Sequence, residues 1–272
     1  MLGGGKRASD RGVPAPASPG RDRALEEAIR RERVELRFQP QIEPATGRIV
    51  GVEALARWSG AESPENLFAR AEAAGLSERL SRSIQRKALR TVGAWRGPLA
   101  SLSLSINLLP RDLDRPGYEQ WLLAEIAAAG LEPARITAEI VESSLMADSI
   151  EVAGRLSRLR AAGIRIAIDD FGTGYSSLAY LTSLPLDAIK IDRAMISDIV
   201  GGSRDRIVVK AMIRLARELD LKVVVEGVEN LRQLHLLEEW GCDLYQGFLG
   251  AGALDEVELE RFVMASERTV AA

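Results

Sequence analysis

Short runs of alternating apolar and polar residues recur along the chain, separated by longer stretches with helical spacing. Alternation with a period of two is typical of strands, and apolar residues three or four positions apart are typical of helices. Val208, Met212, Leu215, Ala216 and Leu219 are spaced in the helical way. Eight strands are predicted, at 34–40, 49–57, 101–107, 135–141, 164–169, 187–192, 222–227 and 243–248.

The order of these elements limits the fold class. Eight strands in roughly 240 residues, each followed by a helical stretch, fit an α/β protein with a (β/α)8 barrel. Glycines such as Gly130, Gly163 and Gly241 lie where helices should end. A doubly wound open sheet has a similar alternation and stays the rival architecture.

The predicted strands have one aliphatic face and one face that ends in a polar group. In 101–107, for example, Leu104 and Ile106 share a face and Asn107 lies on the other. In a barrel the second faces would meet at the C-terminal mouth, where barrel active sites lie. This alternation brings together Glu53, Asn107, Glu139, Asp169, Asp170, Lys190, Glu226 and Gln246.

The type of these groups predicts a chemistry. Five carboxylates that converge in a partly dry mouth repel one another unless cations neutralise them. The chain has one cysteine and one histidine, which excludes cysteine-based and histidine-rich zinc sites. Oxygen ligands favour Mg²⁺ or Mn²⁺, and the adjacent Asp169 and Asp170 could serve two ions. Two ions would activate water for phosphoryl displacement, and Lys190 could orient or deprotonate that water. The residues therefore predict a metal-dependent phosphoester hydrolase without identifying the substrate.

Composition and charge fit an ordinary globular domain. The 272 residues are 46% hydrophobic and 28% charged, and the formal net charge is −3, which argues against binding a nucleic-acid polymer. We expect no transmembrane helix, no secretory signal and a cytoplasmic location. Eight of the first 20 residues are Gly or Pro. We therefore expect a disordered tail at 1–22 and one barrel domain at 23–268.

The same residues resemble the motifs of the EAL-domain cyclic di-GMP phosphodiesterases. The matching segments, in chain order, are Phe38-Gln39-Pro40-Gln41, Glu53-Ala54-Leu55 with Arg57-Trp58, Leu104 to Leu108, Glu139 to Ser143, Asp169 to Leu178, Lys190 to Arg193, Glu226 to Glu229, and Gln246-Gly247-Phe248. The resemblance covers about residues 23–265. It implies a modified barrel in which one early strand runs antiparallel. It also implies metal-dependent hydrolysis of one phosphodiester of cyclic di-GMP to linear pGpG.

The resemblance assigns roles to individual residues. One metal ion would be held by Glu53, Asn107, Glu139 and Asp169. The second would be held or flanked by Asp169, Asp170 and Glu226. The catalytic groups would be Lys190, Glu53, Asp169 and Asp170. The substrate would be contacted by Gln39, Leu55, Arg57, Asp192 and Gln246.

Gln246, Asp192 and Glu142 have further or alternative roles. Gln246 would also support the second ion. For Asp192, pairing with a basic side chain stays open beside substrate contact. Glu142 would brace the Asp169–Ser177 loop, which in this family links metal, substrate and dimer interface.

Two other functions and two kinds of protein partner are also considered. The chain could be a catalytically silent module that binds cyclic di-GMP or a protein, or a phosphodiesterase for other cyclic dinucleotides. An active enzyme is favoured because all eight groups of the ring are present. We also expect a homodimer through helices beside the Asp169–Ser177 loop, and a regulatory protein partner is possible in principle.

Overall fold

The computed structural model describes residues 20–142, 149–172, 179–202 and 204–270. Most of the tail predicted at 1–22 therefore lies outside the described residues, and the domain limits 23–268 stay a prediction. Eight strands close into a barrel in sequence order. They are β1 (Glu35–Ile42), β2 (Ile49–Arg57), β3 (Ser103–Leu108), β4 (Ile136–Val141), β5 (Arg165–Phe171), β6 (Ala188–Ile191), β7 (Lys222–Val225) and β8 (Leu244–Tyr245).

The barrel is mixed, with one reversed strand. β1 pairs antiparallel with both β2 and β8, and all other neighbours are parallel. Closure confirms the modified barrel and excludes the open sheet. The expectation that every strand is followed by a helix is wrong for β1. A tight turn, in which the Glu43 N–H donates to the Arg48 carbonyl at 2.9 Å, joins β1 directly to β2. Antiparallel neighbours need no crossover helix.

Helices cover the outside of the barrel. They are α1 (Arg23–Arg30), α2 (Pro64–Ala73), α3 (Ser77–Ala94), α4 (Pro110–Leu113), α5 (Tyr118–Ala128), α6 (Ser149–Ala161), α7 (Ala179–Ser183), α8 (Arg193–Ile196), α9 (Arg204–Glu218), α10 (Leu231–Trp240) and α11 (Glu256–Val270). Local capping sets several boundaries. At α10, Asn230 accepts from the Gln233 N–H and the Gln233 side chain accepts from the Asn230 N–H. Within the described ranges, no helix has the length and apolar character that a bilayer span requires.

The strand faces follow the predicted alternation. Ile189 and Ile191 of β6 are buried against the helix layer, while Lys190 between them lies inside the barrel. Burying one aliphatic side chain of this size contributes about 1.5–3 kcal/mol, so the outer faces of the strands hold the helices in place. A smaller apolar cluster that includes Leu25 and Leu67 lies beneath α1 and α2.

Two elements differ in detail from the sequence pattern. In α9 the fully buried residues are Val209, Ile213 and Ala216, of which only Ala216 was predicted. The predicted Met212, Leu215 and Leu219 are partly buried against the core, and Val208 is exposed. The strand predicted at 243–248 ends after Tyr245. At Gly247 (φ +151°) a Cβ would lie 2.3 Å from the Val228 backbone nitrogen, so this close backbone approach requires glycine.

Candidate functional site

Lys190 lies at the centre of the barrel mouth and is fully buried. Its Nζ is 2.7 Å from a carboxylate oxygen of Glu139 and 2.7 Å from one of Glu226. It is also 3.1 Å from an oxygen of Glu53 and 3.1 Å from one of Asp169. These carboxylates come from four different strands or strand ends, so the ammonium connects β2, β4, β5 and the end of β7.

Two amide side chains join the same cluster. Asn107 Nδ2, from β3, donates to Glu53 Oε1 at 2.9 Å. Gln246 Nε2 donates to Glu53 Oε2 at 2.8 Å and to Glu226 Oε1 at 3.1 Å. Gln41, to which the sequence pattern assigned no role, donates to the Gln246 side-chain oxygen at 3.4 Å. Gln246 thus braces the carboxylates of the cluster, and only 3% of its surface is exposed to solvent.

A local irregularity in β5 brings two adjacent aspartates to the mouth. The pairing of β5 with β6 shifts register between Ile168 and Phe171. Asp170 has a left-handed backbone (φ +56°), and its N–H donates to Asp169 Oδ1 at 3.0 Å. Bulges and positive φ values at non-glycine residues re-aim side chains and are common at functional sites. Both carboxylates therefore contribute to the cluster, although simple alternation would send them to opposite faces.

The carboxylates form two sets that share one residue. Ligand oxygens of Glu53, Glu139 and Asp169 lie within 4.8 Å of one another, and so do those of Asp169, Asp170 and Glu226. The donor set is all oxygen, which suits Mg²⁺, Mn²⁺ or Ca²⁺. Buried carboxylates in excess over cationic side chains also fit a cation, because each is costly without one. The acidic cluster at the mouth can therefore hold metal.

The electrostatics show how crowded the negative charge is. Burial raises the pKa of Glu139 well above its ordinary value, and Glu53 raises it further. Burial likewise raises the pKa of Glu226, to about 7, against the opposing effect of Lys190. For Lys190, burial lowers the pKa, but the surrounding carboxylates outweigh it and hold the pKa well above its usual range. Without a bound cation, Lys190 is thus an ammonium and cannot accept a proton from water.

A groove runs from this cluster across β1, β2 and the segment after β8. Its volume is about 640 Å³, and Gln39, Leu55, Arg57 and Gln246 all line it. Arg193 and the exposed ring of Phe248 lie on the same groove, although the sequence analysis assigned neither of them a role. An exposed aromatic beside arginines could have indicated a binding surface.

The two remaining predicted residues lie at the edge of the mouth. Glu142 accepts a hydrogen bond from the Gly172 N–H at 3.2 Å, next to the paired aspartates. Residues 173–177 of the Asp169–Ser177 loop lie outside the described residues. Asp192 caps α8 by accepting from the Ala194 N–H at 2.9 Å. Its carboxylate is close enough to contribute to the raised pKa of Asp170, after burial and Asp169.

Known proteins resemble this chain over most of its length. The family model described as EAL domain matches residues 22–253. The cyclic di-GMP phosphodiesterase NbdA of Pseudomonas aeruginosa is 38% identical over 248 residues, which are 89% of this chain and 31% of that protein. This chain thus spans about a third of the length of the curated relatives it matches.

Solved structures share the fold. A structure described as the PaMucR phosphodiesterase in complex with c-di-GMP is 34% identical with a TM-score of 0.81, over 86% of this chain and 97% of that one. A manganese and cy-diGMP complex of Klebsiella pneumoniae BlrP1 is 33% identical with a TM-score of 0.74, over 89% of this chain and 59% of that one. The match to the family model and these similarities show that the chain belongs to the EAL domain family.

Proposed function

We propose that this chain hydrolyses one phosphodiester bond of cyclic di-GMP to linear pGpG with two divalent cations, Mg²⁺ or Mn²⁺. The observation that carries the proposal is the pair of carboxylate sets that share Asp169 at the mouth, beside an open groove. Relatives named as cyclic di-GMP phosphodiesterases and a neighbour described as a c-di-GMP complex identify the substrate class.

The chain's own residues divide the work between metal and substrate. Glu53, Asn107, Glu139 and Asp169 would hold one cation, and Asp169, Asp170 and Glu226 the other. Bound cations supply an acidified water and polarise the phosphodiester oxygens. Lys190 would balance the carboxylate charge of the cation-free site, and we assign it the task of orienting the water beside the bound cations.

The groove would place the substrate. Arg57 makes no ion pair within the described part of the chain, and one of its N–H groups donates to the Ala56 carbonyl at 2.8 Å. Its remaining donors suit a phosphate, with which a guanidinium forms charge-assisted bonds. Gln39 and Leu55 would line the floor beneath the dinucleotide. Asp192 would contact the substrate from its position near Asp170.

Product analysis tests the proposal. The purified chain is incubated with cyclic di-GMP and Mn²⁺ or Mg²⁺, with and without excess chelator, and products are separated by chromatography. We expect pGpG in the presence of either metal and none with the chelator. Saturable binding of cyclic di-GMP without product would contradict the proposal and support the silent binding module instead.

We also propose a homodimer that forms through α9. Ile207 is 71% exposed there, and Val208 and Leu231 are exposed beside it. Met212 of the same helix packs at Gly172, where a Cβ would lie 3.0 Å from the Met212 Cε. α9 therefore connects an apolar surface to the start of the Asp169–Ser177 loop.

Sedimentation velocity tests the dimer. Ile207→Asp should give a monomer, while Val257→Asp, at an exposed apolar position on α11, should leave the dimer intact. A wild-type protein that is monomeric at micromolar concentration and fully active would contradict it. The cytoplasmic location and the regulatory partner remain predictions of the sequence.

A further inference from the structure

A buried polar cluster lies directly behind Asn107, between α3, α4 and α5. Its members are Ser81 and Gln85 on α3, Asp112 on α4 and Tyr118 on α5, and each of them is at most 3% exposed. Buried polar groups are costly unless they are hydrogen-bonded, so a cluster of four needs an account. The sequence pattern gave no signal for it, because the four residues are scattered over three helices.

Gln85 is the member that reaches the metal-binding strand. Its Nε2 donates to the backbone carbonyl of Asn107 at 3.1 Å, at the end of β3. Its side-chain oxygen accepts from the Tyr118 hydroxyl at 2.9 Å. The Asn107 carbonyl and the Asp112 carboxylate are acceptors only, so the NH₂ end of the Gln85 amide faces them, and the Tyr118 hydroxyl holds the oxygen end.

Asp112 secures the other side of the same turn. Its Oδ2 accepts from the Leu109 N–H at 3.0 Å and from Gln85 Nε2 at 3.2 Å, and it also accepts from the Ser81 hydroxyl. Arg115 donates to its other oxygen at 3.2 Å. The backbone is thus held at Asn107 and again two residues later.

Packing alone does not hold Asn107 on this side. A cavity of about 300 Å³ extends from Asn107 and Asp169 to Ser81 and Gln85. Side chains that border a cavity have packing partners on fewer sides. The hydrogen bonds from Gln85 and Asp112 therefore carry more of the restraint at this strand end.

We propose that Gln85, oriented by Tyr118 and Asp112, is a positioning residue that sets the affinity of the first metal site through the backbone of Asn107. The inference rests on the proposed function, since it assumes that Asn107 is a ligand. Asn107 Nδ2 donates to Glu53 Oε1, so a fixed backbone presents the Asn107 oxygen and the Glu53 carboxylate to the cation together. Outer groups that orient metal ligands commonly change metal affinity by about 10- to 100-fold. Because Gln85 acts through the main chain, we expect a loss of metal affinity at the lower end of this range, roughly tenfold.

Manganese binding tests this in the full chain. Gln85→Met keeps the volume and removes the donor to Asn107. Binding of Mn²⁺ is measured by calorimetry without substrate, and the Mn²⁺ concentration for half-maximal hydrolysis is measured in parallel. We expect Kd and the half-activating concentration to rise roughly tenfold, with kcat at saturating Mn²⁺ within about twofold of wild type. Asp112→Asn should shift Kd in the same direction, and Tyr118→Phe less.

Leu89→Ala is the matched control, since Leu89 is fully buried on the same helix without any polar contact to Asn107. It should lower Tm at least as much as Gln85→Met and leave Kd for Mn²⁺ unchanged. If Gln85→Met and Asp112→Asn fold and bind Mn²⁺ like wild type, or if Leu89→Ala shifts Kd equally, the inference is wrong. If wild type neither binds Mn²⁺ nor forms pGpG, the proposed function itself fails, which is a different result.

Discussion

Charged residues at the two ends of the barrel are arranged in opposite ways. At the N-terminal end, individual acids have their own bases: Lys222 Nζ is 2.7 Å from Asp243, and Arg160 Nε is 2.9 Å from Asp187. The same two carboxylates accept backbone N–H groups at the starts of strands, each at 2.9 Å. At the mouth, five carboxylates crowd around the ammonium of Lys190 instead.

This difference separates charges that support the fold from charges that serve chemistry. Pairs in contact with solvent contribute roughly 0–1 kcal/mol each and need no further ligand. A buried surplus of carboxylates lowers stability, because the attraction of one lysine does not offset their desolvation and mutual repulsion. The raised pKa values of Glu139 and Glu226 express that cost. The mouth therefore has an arrangement that a bound cation, or protonation of some of its carboxylates, would make favourable.

The largest expected effect is at Asp169, which belongs to both carboxylate sets. Asp169→Asn should lower kcat for cyclic di-GMP by at least about 10³-fold, since both cations lose a ligand. At the other end, Asp187→Asn should change kcat by less than about twofold. Turnover by Asp169→Asn close to wild type would overturn the shared-ligand assignment.

Removal of Lys190 should follow in size. Lys190→Met leaves four contacting carboxylates without their common partner, and we expect the free energy of unfolding without metal to fall by about 3–5 kcal/mol. Mn²⁺ should restore part of the loss by binding the same carboxylates. Lys222→Met, which breaks an exposed pair, should cost below about 1 kcal/mol. Equal losses in urea unfolding of the two variants would remove the contrast between the ends.

Arg57 should affect substrate binding more than chemistry. Arg57→Gln should raise KM for cyclic di-GMP by about 10- to 100-fold, the loss of one or two charge-assisted hydrogen bonds. Arg37 lines the same groove but is paired with Asp255 at 3.3 Å and Glu258 at 3.4 Å. Arg37→Gln should therefore change KM much less. Steady-state kinetics on the two variants tests this difference. Equal increases in KM would mean that an arginine without an ion pair binds the substrate no better than a paired one.

The pH dependence of metal stabilisation should be moderate. The pKa of Glu226 is about 7 in the folded, cation-free protein and near 4.5 when unfolded. Because its pKa is raised on folding, Glu226 stabilises the cation-free folded protein. This contribution is fully present below the unfolded-state pKa and is lost as the pH rises through about 7. Cations also compete less with protons at high pH. Mn²⁺ should therefore raise Tm by about 3 °C more at pH 8 than at pH 6. An equal shift at both pH values would argue against Glu226 as a ligand.

The smallest expected effect is at Asp243. Asp243→Asn keeps an oxygen that can accept the Val223 N–H and loses only the exposed pair with Lys222. We expect a loss of at most about 1 kcal/mol and unchanged kcat and KM. A large loss of activity would mean that the N-terminal end is not merely structural.

Much of the barrel and its mouth could be predicted from residue order. Alternation placed Glu53, Glu139, Lys190 and Glu226 inside because the side-chain period of a strand is two. The direction of β1 could not be obtained this way, since an antiparallel strand alternates like a parallel one. Only the resemblance to the family implies it, and the antiparallel pairing of β1 with β2 and β8 confirms it.

The remaining features depend on contacts that are distant in sequence. Asp170 joins Asp169 only because a register shift and a positive φ redirect it, and no local pattern marks that shift. The resemblance places Lys190 beside the nucleophilic water. Its contacts with four carboxylates could not be predicted from the sequence, because they depend on how four strands pack together. Gln85 looks like an ordinary helix residue until α3 packs against the end of β3.

Counting the Mn²⁺ ions bound per chain tests whether the mouth holds a two-cation centre that shares Asp169. Equilibrium dialysis at pH 8 without substrate, followed by metal analysis, compares wild type with Asp169→Asn. We expect two ions in wild type and at most one in the variant. No saturable binding to wild type, or equal binding to both proteins, would contradict a metal centre built on the shared carboxylate.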